Sequence, residues 1–402
     1  MRKSWLVTCL INFCFAASMG TLLRYVYIHP VAVNYAYVLH GHSHTAMLGW
    51  VYLMLYSFIF HYFIPKRTAL KQKYNRLFWV TELSIVGMLI SFPLQGYALL
   101  SLFFSTLHIF CSYYFCYSVW RDKEIQHPIA RRMLCTALLF MLFSTIGVWC
   151  LGPIMAMGGK SSAIYQVAIQ FFIHFQFNGW FVFGILALLF QRMGGGIGIL
   201  CNRRVFNWFY YSFIIATLLT FALPVSWYIP LPILQRINQV GLLMQLISAV
   251  AFFKLIVPLF KGFMKSLQPF TRFLYQLGFF VLLLKTGMQS MAFFPEIALL
   301  PHSIRNFTIG FVHLSMLGLV TGFLMAFSSE LKYFYIQANT TKVGLSLFGI
   351  CFVITELLLF IQGAFFYRGI AMIPGYYSLL FSISLGLPLG LLLMIVSISY
   401  KK

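Results

Sequence analysis

Long apolar stretches separated by short polar connections run through the whole chain. A helix needs roughly 20 apolar residues to cross a bilayer, and twelve stretches come close to that length. They cover approximately residues 5–28, 41–63, 77–94, 97–119, 133–157, 166–190, 205–225, 236–259, 273–295, 304–328, 342–364 and 374–398. The pattern predicts an all-α integral membrane protein with twelve transmembrane helices, called spans one to twelve.

Lys and Arg side chains concentrate in alternate connections between the spans. Positive charge accumulates in loops that stay on the cytoplasmic side of a membrane. The charge-rich set comprises Arg2, Lys3, Lys66, Arg67, Lys71, Lys73, Arg76, Arg121, Lys123, Arg131, Arg132, Arg192, Arg203, Arg204, Lys261, Lys265, Arg272, Lys332, Lys342, Lys401 and Lys402. The opposite connections hold only Lys160, Arg236, Arg305 and Arg368. This asymmetry predicts that the N- and C-termini are both cytoplasmic.

The composition agrees with this topology. Residues are 61% hydrophobic and 8% charged, which lies outside the range of soluble domains. The formal net charge of +22 is spread over short connections, so it indicates orientation, and we expect no nucleic-acid partner. Residues 1–402 are therefore expected to form a single polytopic membrane domain surrounded by lipid.

A short histidine motif occurs in three spans. His44 begins HTAMLGWV, His174 begins HFQFNGWF and His313 begins HLSMLGLV. These copies lie in spans two, six and ten, so each recurrence is four helices from the last. Regular recurrence predicts a pseudo-threefold arrangement of four-helix units, with boundaries at about 1–132, 133–272 and 273–402.

The motif histidines are candidates for binding, because polar groups inside a membrane are costly and usually face a bundle interior or a cavity. The chain has only six Asp and Glu residues, which argues against cations that prefer oxygen ligands. Imidazole ligands suit haem iron or copper, and two histidines from different helices can hold a haem. The other interpretation is that the three histidines hydrogen-bond across helices and serve packing.

The motif glycine lies five residues after each histidine. On an α-helix it is rotated by about 140° from the histidine. Because it lacks a side chain, it would let a neighbouring helix or a flat ligand approach closely.

The first motif copy lies in YVLHGHSHTAMLGWVYL, residues 37–53, which has histidines at 40, 42 and 44. Alternate positions on an α-helix point about 200° apart, so His42 and His44 cannot readily share one ligand. His40 and His44 share a face only if the helix already extends that far. We therefore expect His44 to be the ligand, with His40 and His42 at the rim of the site.

The layout resembles the catalytic subunit of the haem–copper oxidase superfamily, which has twelve helices in a threefold repeat and histidines in spans two, six and ten. The local pattern is most similar to C-family oxygen reductases and to nitric oxide reductases. Their tenth helix carries H-x-H-x-x-x-L-G-W, which residues 42–50 reproduce on span two. Residues 20–24, GTLLR, are similar to the family's Gly-Thr segment followed by an Arg that contacts a haem substituent.

The resemblance implies specific roles for these residues. A b-type haem would be held by His44 and His313, with His42 and His40 as alternative ligands from span two. Arg24 would compensate a haem propionate. It also implies an oxidoreductase of a bacterial inner (plasma) membrane, in a respiratory chain with a cytochrome-type electron donor or other respiratory subunits.

His174 takes the place of a copper ligand in the family, but three departures affect that expectation. Span seven, residues 205–225, has no histidine where the family has a His-His pair. Span ten contains His313 alone, and Asn178 stands where the family has a tyrosine. A standard haem–copper centre cannot be assembled from these positions, so copper is a weak expectation and no catalytic residue is assigned.

Other intramembrane groups have open roles. Lys285 in span nine and Glu356 in span eleven are candidates for a proton path, and they are equally candidates for a pair with each other or for snorkelling to an interface. Glu82 in span three is expected to snorkel to the inner interface, and His108 in span four to be a hydrogen-bonded core residue. His302 is expected in an outer loop. Interruptions are expected in spans three and five, at Pro93 and Pro153 respectively.

The sequence therefore predicts a haem-binding membrane redox protein for electron transfer, with oxygen or nitric oxide chemistry if it is an active oxidoreductase. Two alternatives stay open. One is a transporter or channel with a histidine-lined path. The other is a family member without catalysis that acts as a haem-dependent sensor or assembly partner.

Overall fold

The computed structural model describes residues 2–124, 127–197, 202–333 and 339–399. Within these ranges the regular structure is helical and contains no strand. The main helices correspond in order to the predicted spans. They are α1 Lys3–Tyr25, α2 Tyr35–Phe63, α3 Thr68–Gln95, α4 Leu99–Asp122, α5 Pro128–Gly158, α6 Ala163–Met193, α7 Arg203–Ser226, α8 Pro232–Ser266, α9 Pro269–Phe293, α10 Arg305–Glu330, α11 Asn339–Tyr367 and α12 Tyr376–Ile398.

Eleven helices in the described ranges are long and apolar enough to cross a membrane, and the count reaches twelve if α9 and the short helix after it form one span. The prediction of an all-helical membrane protein is confirmed at this level. Each helix satisfies its own backbone hydrogen bonds, which is what a lipid environment requires.

A sharp bend follows the helix of the ninth predicted span. Pro269–Phe293 is followed by the short helix Pro295–Ser303 at an angle of 112°. Phe294 is extended, with φ −85° and ψ 124°, because a residue before proline avoids the α conformation. A proline at the first helical position then begins a new helix. The predicted span over 273–295 corresponds to Pro269–Phe293, and the short helix after it was not predicted. The loop expected around His302 is this short helix, where the His302 ring stacks 5.9 Å from the Trp227 ring.

Amide side chains of α8 bind the carbonyl groups at this bend. Asn238 Nδ2 donates to the Ala292 carbonyl at 3.3 Å, and Gln239 Nε2 donates to the Phe293 carbonyl at 2.9 Å. A break in a membrane helix is tolerated where neighbouring side chains satisfy the backbone groups it releases.

Pro93 and Pro153 do not interrupt their helices. α3 continues past Pro93 to Gln95, and α5 continues past Pro153 to Gly158. Each proline lies close to the C-terminal end of its helix, where few backbone hydrogen bonds remain to be lost. The expected interruptions were therefore wrong.

The chain divides into two compact units, which are described separately. The first contains residues 1–124 and 316–402, and the second contains residues 125–315. The three repeat units expected from the motif spacing stay a prediction.

The first unit has an aromatic core. The Trp5 and Phe78 rings stack at 4.6 Å, and the Phe13 and Trp50 rings do the same at 4.6 Å. Trp50 Nε1 also donates to Thr321 Oγ1 at 2.8 Å, which connects α2 to the later part of α10. A fully buried Trp finds a hydrogen-bond partner in this way.

Aromatic rings also fill the core of the second unit. The rings of Phe140 and Phe183 lie 5.2 Å apart, and those of Phe183 and Phe213 stack at 4.5 Å. These contacts hold α5, α6 and α7 together around the span-six copy of the motif.

Candidate functional site

Each of the three motif histidines is immediately followed by a π-helical segment. The segments are Thr45–Tyr52 in α2, Phe175–Phe181 in α6 and Leu314–Val320 in α10. π-helices hold well under 1% of residues in globular proteins, and they occur often at functional sites. All three π-helical segments begin at the residue after the histidine, which indicates that the three motif copies share one local structure. Apolar periodicity did not predict it.

The π-helices change the geometry of the motif glycine. Their hydrogen bonds join residues five apart, which brings the glycine closer to the face of the histidine, so the expected rotation of about 140° was wrong. A Cβ on Gly49 would lie 2.9 Å from Asn12 Cβ in α1. One on Gly179 would lie 2.6 Å from Phe140 Cβ in α5. The sequence predicts that either a neighbouring helix or a flat ligand approaches this glycine. At both Gly49 and Gly179 the closest atoms belong to a helix, the one that precedes the motif helix in the chain.

The His44 ring is fixed by its own helix. Its Nδ1 lies 2.9 Å from the His40 carbonyl oxygen. A carbonyl only accepts, so Nδ1 carries the proton and Nε2 keeps its lone pair. A metal-binding histidine has this arrangement, with its other ring nitrogen donating to a carbonyl. The Phe92 ring packs 4.4 Å from the His44 ring. These observations fit His44 as a residue that could bind a metal through Nε2.

His40 and His42 face different neighbours. α2 begins at Tyr35, early enough for His40 and His44 to share a face. The His40 ring lies 4.6 Å from Tyr97, whose ring is also 6.1 Å from His44. His42 points to α1 instead, with Nδ1 2.8 Å from the Ala16 carbonyl oxygen. His42 and His44 therefore contact different neighbours, in agreement with their spacing on the helix.

Residues 20–24 form a contact surface on α1. A Cβ on Gly20 would lie 2.9 Å from His42 Cε1. Thr21 Oγ1 donates to the Ser384 carbonyl at 3.3 Å, and the Arg24 guanidinium donates to Ser384 Oγ. Arg24 also interacts electrostatically with Glu356. This segment therefore joins α1 to α2, α11 and α12, and a propionate contact of Arg24 stays a prediction.

Glu82 is buried in the first unit, with 8% of its surface exposed. Its Oε2 accepts from Asn12 Nδ2 at 2.8 Å, and the same amide nitrogen lies 3.3 Å from the Gly49 carbonyl oxygen. The expected snorkelling was wrong, because α3 begins at Thr68 and Glu82 lies roughly four turns inside it. Asn12 thus connects α3 to the π-helix of α2.

His108 is also buried in the first unit. Its Nδ1 lies 3.3 Å from Ser112 Oγ, and its ring contacts Tyr52 at 4.8 Å. Its Nε2 has no hydrogen-bond partner among the described residues. Only part of the expected hydrogen bonding is therefore present.

The second unit contains the other two motif histidines. His313 is half-buried at the end of the α-helical part of α10. His174 Nε2 lies 2.8 Å from the Thr217 carbonyl oxygen, so its Nδ1 keeps the lone pair. Asn178 Nδ2 lies 3.5 Å from that Nδ1. The amide covers the position that a metal would need, so these contacts favour a hydrogen-bonding role for His174.

Lys285 lies next to His174 and Asn178 and forms a polar cluster with them. Its Nζ donates to Asn178 Oδ1 at 3.0 Å and to Gln289 Oε1 at 3.0 Å. The sequence identified Lys285 but not these partners. One available signal was the spacing of Lys285 and Gln289, four residues apart on one helix.

A cavity of about 40 Å³, lined by both polar and apolar residues, lies beside His174, Asn178 and Lys285. Its lining includes Thr217, Thr220, Gln245, Thr286 and Lys285. Within the described ranges, no group of three or more His, Cys, Asp or Glu side chains is arranged to hold a metal ion.

No model of a known protein family matches the chain, and no curated protein matches it.

Proposed function

We propose that the protein is a membrane redox protein of the haem–copper oxidase type that binds a b-type haem through His44 and His313. The observation that carries the proposal is the repeated motif, in which three intramembrane histidines each precede a π-helix. π-helical segments are common at functional sites. The proposal includes a pseudo-threefold arrangement, cytoplasmic termini and an inner-membrane location.

The residues around His44 support its role as a ligand. The His40 carbonyl orients the imidazole and leaves Nε2 for iron. Phe92 and Tyr97 pack on the His40 and His44 rings and exclude water from that face. A b-type haem held by His44 and His313 would supply one-electron transfer.

An optical spectrum tests the proposal. The purified full chain should have a Soret band and a pyridine haemochrome signal, and His44→Ala and His313→Ala should each abolish both. His302→Ala is the matched control, because His302 stacks on Trp227 outside the motif, and it should keep the spectrum. A folded, colourless wild-type protein would contradict the proposal.

A transporter is the second candidate, favoured by the bend after α9 and by the cavity beside Lys285. Broken helices that line a polar site are a feature of secondary transporters. This candidate predicts a colourless protein. A haem-dependent sensor would instead keep the spectrum and consume neither oxygen nor nitric oxide.

A further inference from the structure

Lys285 is a buried cation in a unit with almost no acidic residues. Its exposed fraction is 8%. The only acidic residue in the sequence from 125 to 315 is Glu296, which is exposed on the first turn of the short helix after α9. Lys73 and Asp122 form an ion pair at 2.7 Å, and they lie in the first unit. No carboxylate of the second unit's described residues therefore neutralises Lys285.

The contacts of Lys285 favour the charged ammonium. Two amide oxygens, from Asn178 and Gln289, accept hydrogen bonds from Nζ. The Phe311 ring lies 5.5 Å from Nζ, which is a cation–π distance. An ammonium has three N–H donors, so one donor remains after these two hydrogen bonds.

An ammonium in this position needs a counter-charge. Burying an unpaired charge is expensive, and buried charges are normally paired. The protein supplies amide dipoles, but these carry no net charge. A mobile anion would neutralise Lys285 without an acidic side chain.

The adjacent cavity has room for such an ion, and N–H donors of Lys285 and Gln289 lie in its otherwise mixed polar and apolar lining. Its volume of about 40 Å³ is enough for two or three water molecules, at roughly 15 Å³ each. A monatomic halide is not much larger than a water molecule. Lys285 lines the cavity together with Gln289, whose amide NH₂ group is a second donor because its oxygen is occupied by Lys285.

We propose that the cavity beside Lys285 binds one small inorganic anion, such as a halide. Lys285 supplies the charge, Gln289 supplies a further donor, and Asn178 holds Lys285 in place. The anion is connected to the π-helix of α6 through Lys285, because Lys285 Nζ donates to Asn178 Oδ1. This site does not depend on the haem proposal, because its ligands and its readout are different.

Halide-dependent stability tests the site. The full chain in detergent is heated in sodium bromide or in sodium gluconate at equal ionic strength. A bound ion stabilises the folded state in proportion to the logarithm of its concentration above the dissociation constant. We expect the unfolding midpoint to rise with bromide and to stay level with gluconate. An equal midpoint in both salts would overturn the proposal.

Variants locate the effect. Lys285→Met removes the charge, and Gln289→Glu supplies a carboxylate within reach of Lys285. Both should lose the bromide dependence, and Gln289→Glu keeps the test valid if Lys285→Met does not fold. Lys254→Gln is the matched control, since Lys254 is an exposed lysine of the same unit, and it should keep the full dependence. Retention of the dependence by Gln289→Glu would contradict this site.

Anomalous scattering from bromide in crystals gives an independent readout. One peak beside Lys285 Nζ is expected in wild type and none in Gln289→Glu. Water alone at this position, at a bromide concentration that stabilises the protein, would overturn the assignment.

Discussion

At the residue scale, single glycines set how closely helices approach the motif. Gly49 and Gly179 occupy equivalent motif positions, and each faces a side chain on the preceding helix. The side chain that faces Gly49 is Asn12, whose amide also donates hydrogen bonds to Glu82 and to the Gly49 carbonyl. A methyl group at either glycine would separate a pair of helices.

We expect Gly49→Ala and Gly179→Ala each to destabilise the protein by about 1–3 kcal/mol, the usual cost of an added methyl in a tightly packed core. Gly349→Ala on α11 is the control, because a Cβ there meets no atom within 4 Å. Thermal unfolding in detergent measures the difference. Equal midpoints for all three variants would argue against close helix contact at the motif.

The sequence predicted part of this arrangement. The spacing of His44, His174 and His313 identified the motif, and the missing side chain of glycine predicted a close contact. The partners of Lys285 were not predicted, because which side chains meet between two distant helices depends on their rotation. In the sequence, Asn178 stands out only because the haem–copper oxidases have a tyrosine at the corresponding position. In the structure, its amide contacts both His174 and Lys285.

At the element scale, the bend after α9 depends on amide groups from α8. Asn238 has no exposed surface, and its Nδ2 donates to the Ala292 carbonyl. Without this donor, a backbone acceptor near the break would lose a partner in an apolar environment.

Asn238→Leu should lower stability by about 1 kcal/mol, the net contribution of one hydrogen bond, because Gln235 Nε2 also donates to the Ala292 carbonyl at 3.4 Å. Gln268→Leu is the control, since Gln268 is exposed and makes no side-chain cap hydrogen bond. The unfolding midpoints of the two variants provide the comparison. If Asn238→Leu matched Gln268→Leu, the bend would not need the amide.

Hydropathy predicted the positions of the helices but not their internal shape. An apolar run of 273–295 looks continuous, although Phe294-Pro295 contains the signal for a break. The π-helices left no such signal, because their apolar residues are the same ones that an α-helix would bury. The shape of these helices depends on how neighbouring helices pack against them. The apolar pattern of one segment carries no information about its neighbours.

At the scale of the whole molecule, the two helices on either side of the bend, Pro269–Phe293 and Pro295–Ser303, decide whether the number of membrane crossings is even or odd. If Pro269–Phe293 and Pro295–Ser303 together cross the membrane, the described helices provide twelve crossings, and otherwise they provide eleven. Even parity places both termini on one side, and odd parity places them on opposite sides.

We expect green fluorescent protein fused to either terminus to fluoresce and alkaline phosphatase fused at residue 402 to be inactive, because positive charge predicts that both termini are cytoplasmic. A phosphatase fusion after Lys160, in a connection with little positive charge, is the matched active control. An active phosphatase at the C-terminus would mean that the two helices on either side of the bend return to the side from which they enter.

The π-helix after His44 also separates two halves of one span. At constant chain length, changing a π-helical turn into an α-helical turn shifts one residue into the next turn and rotates everything beyond it by about 100°. Such a change in Thr45–Tyr52 would leave His44 and His40 in place and turn Trp50 away from Thr321. Deleting one residue there would compensate, because an α-helical segment that is one residue shorter leaves both halves of the helix facing as before. The extra residue that the π-helix accommodates therefore sets which way the inner half of α2 faces relative to the histidines.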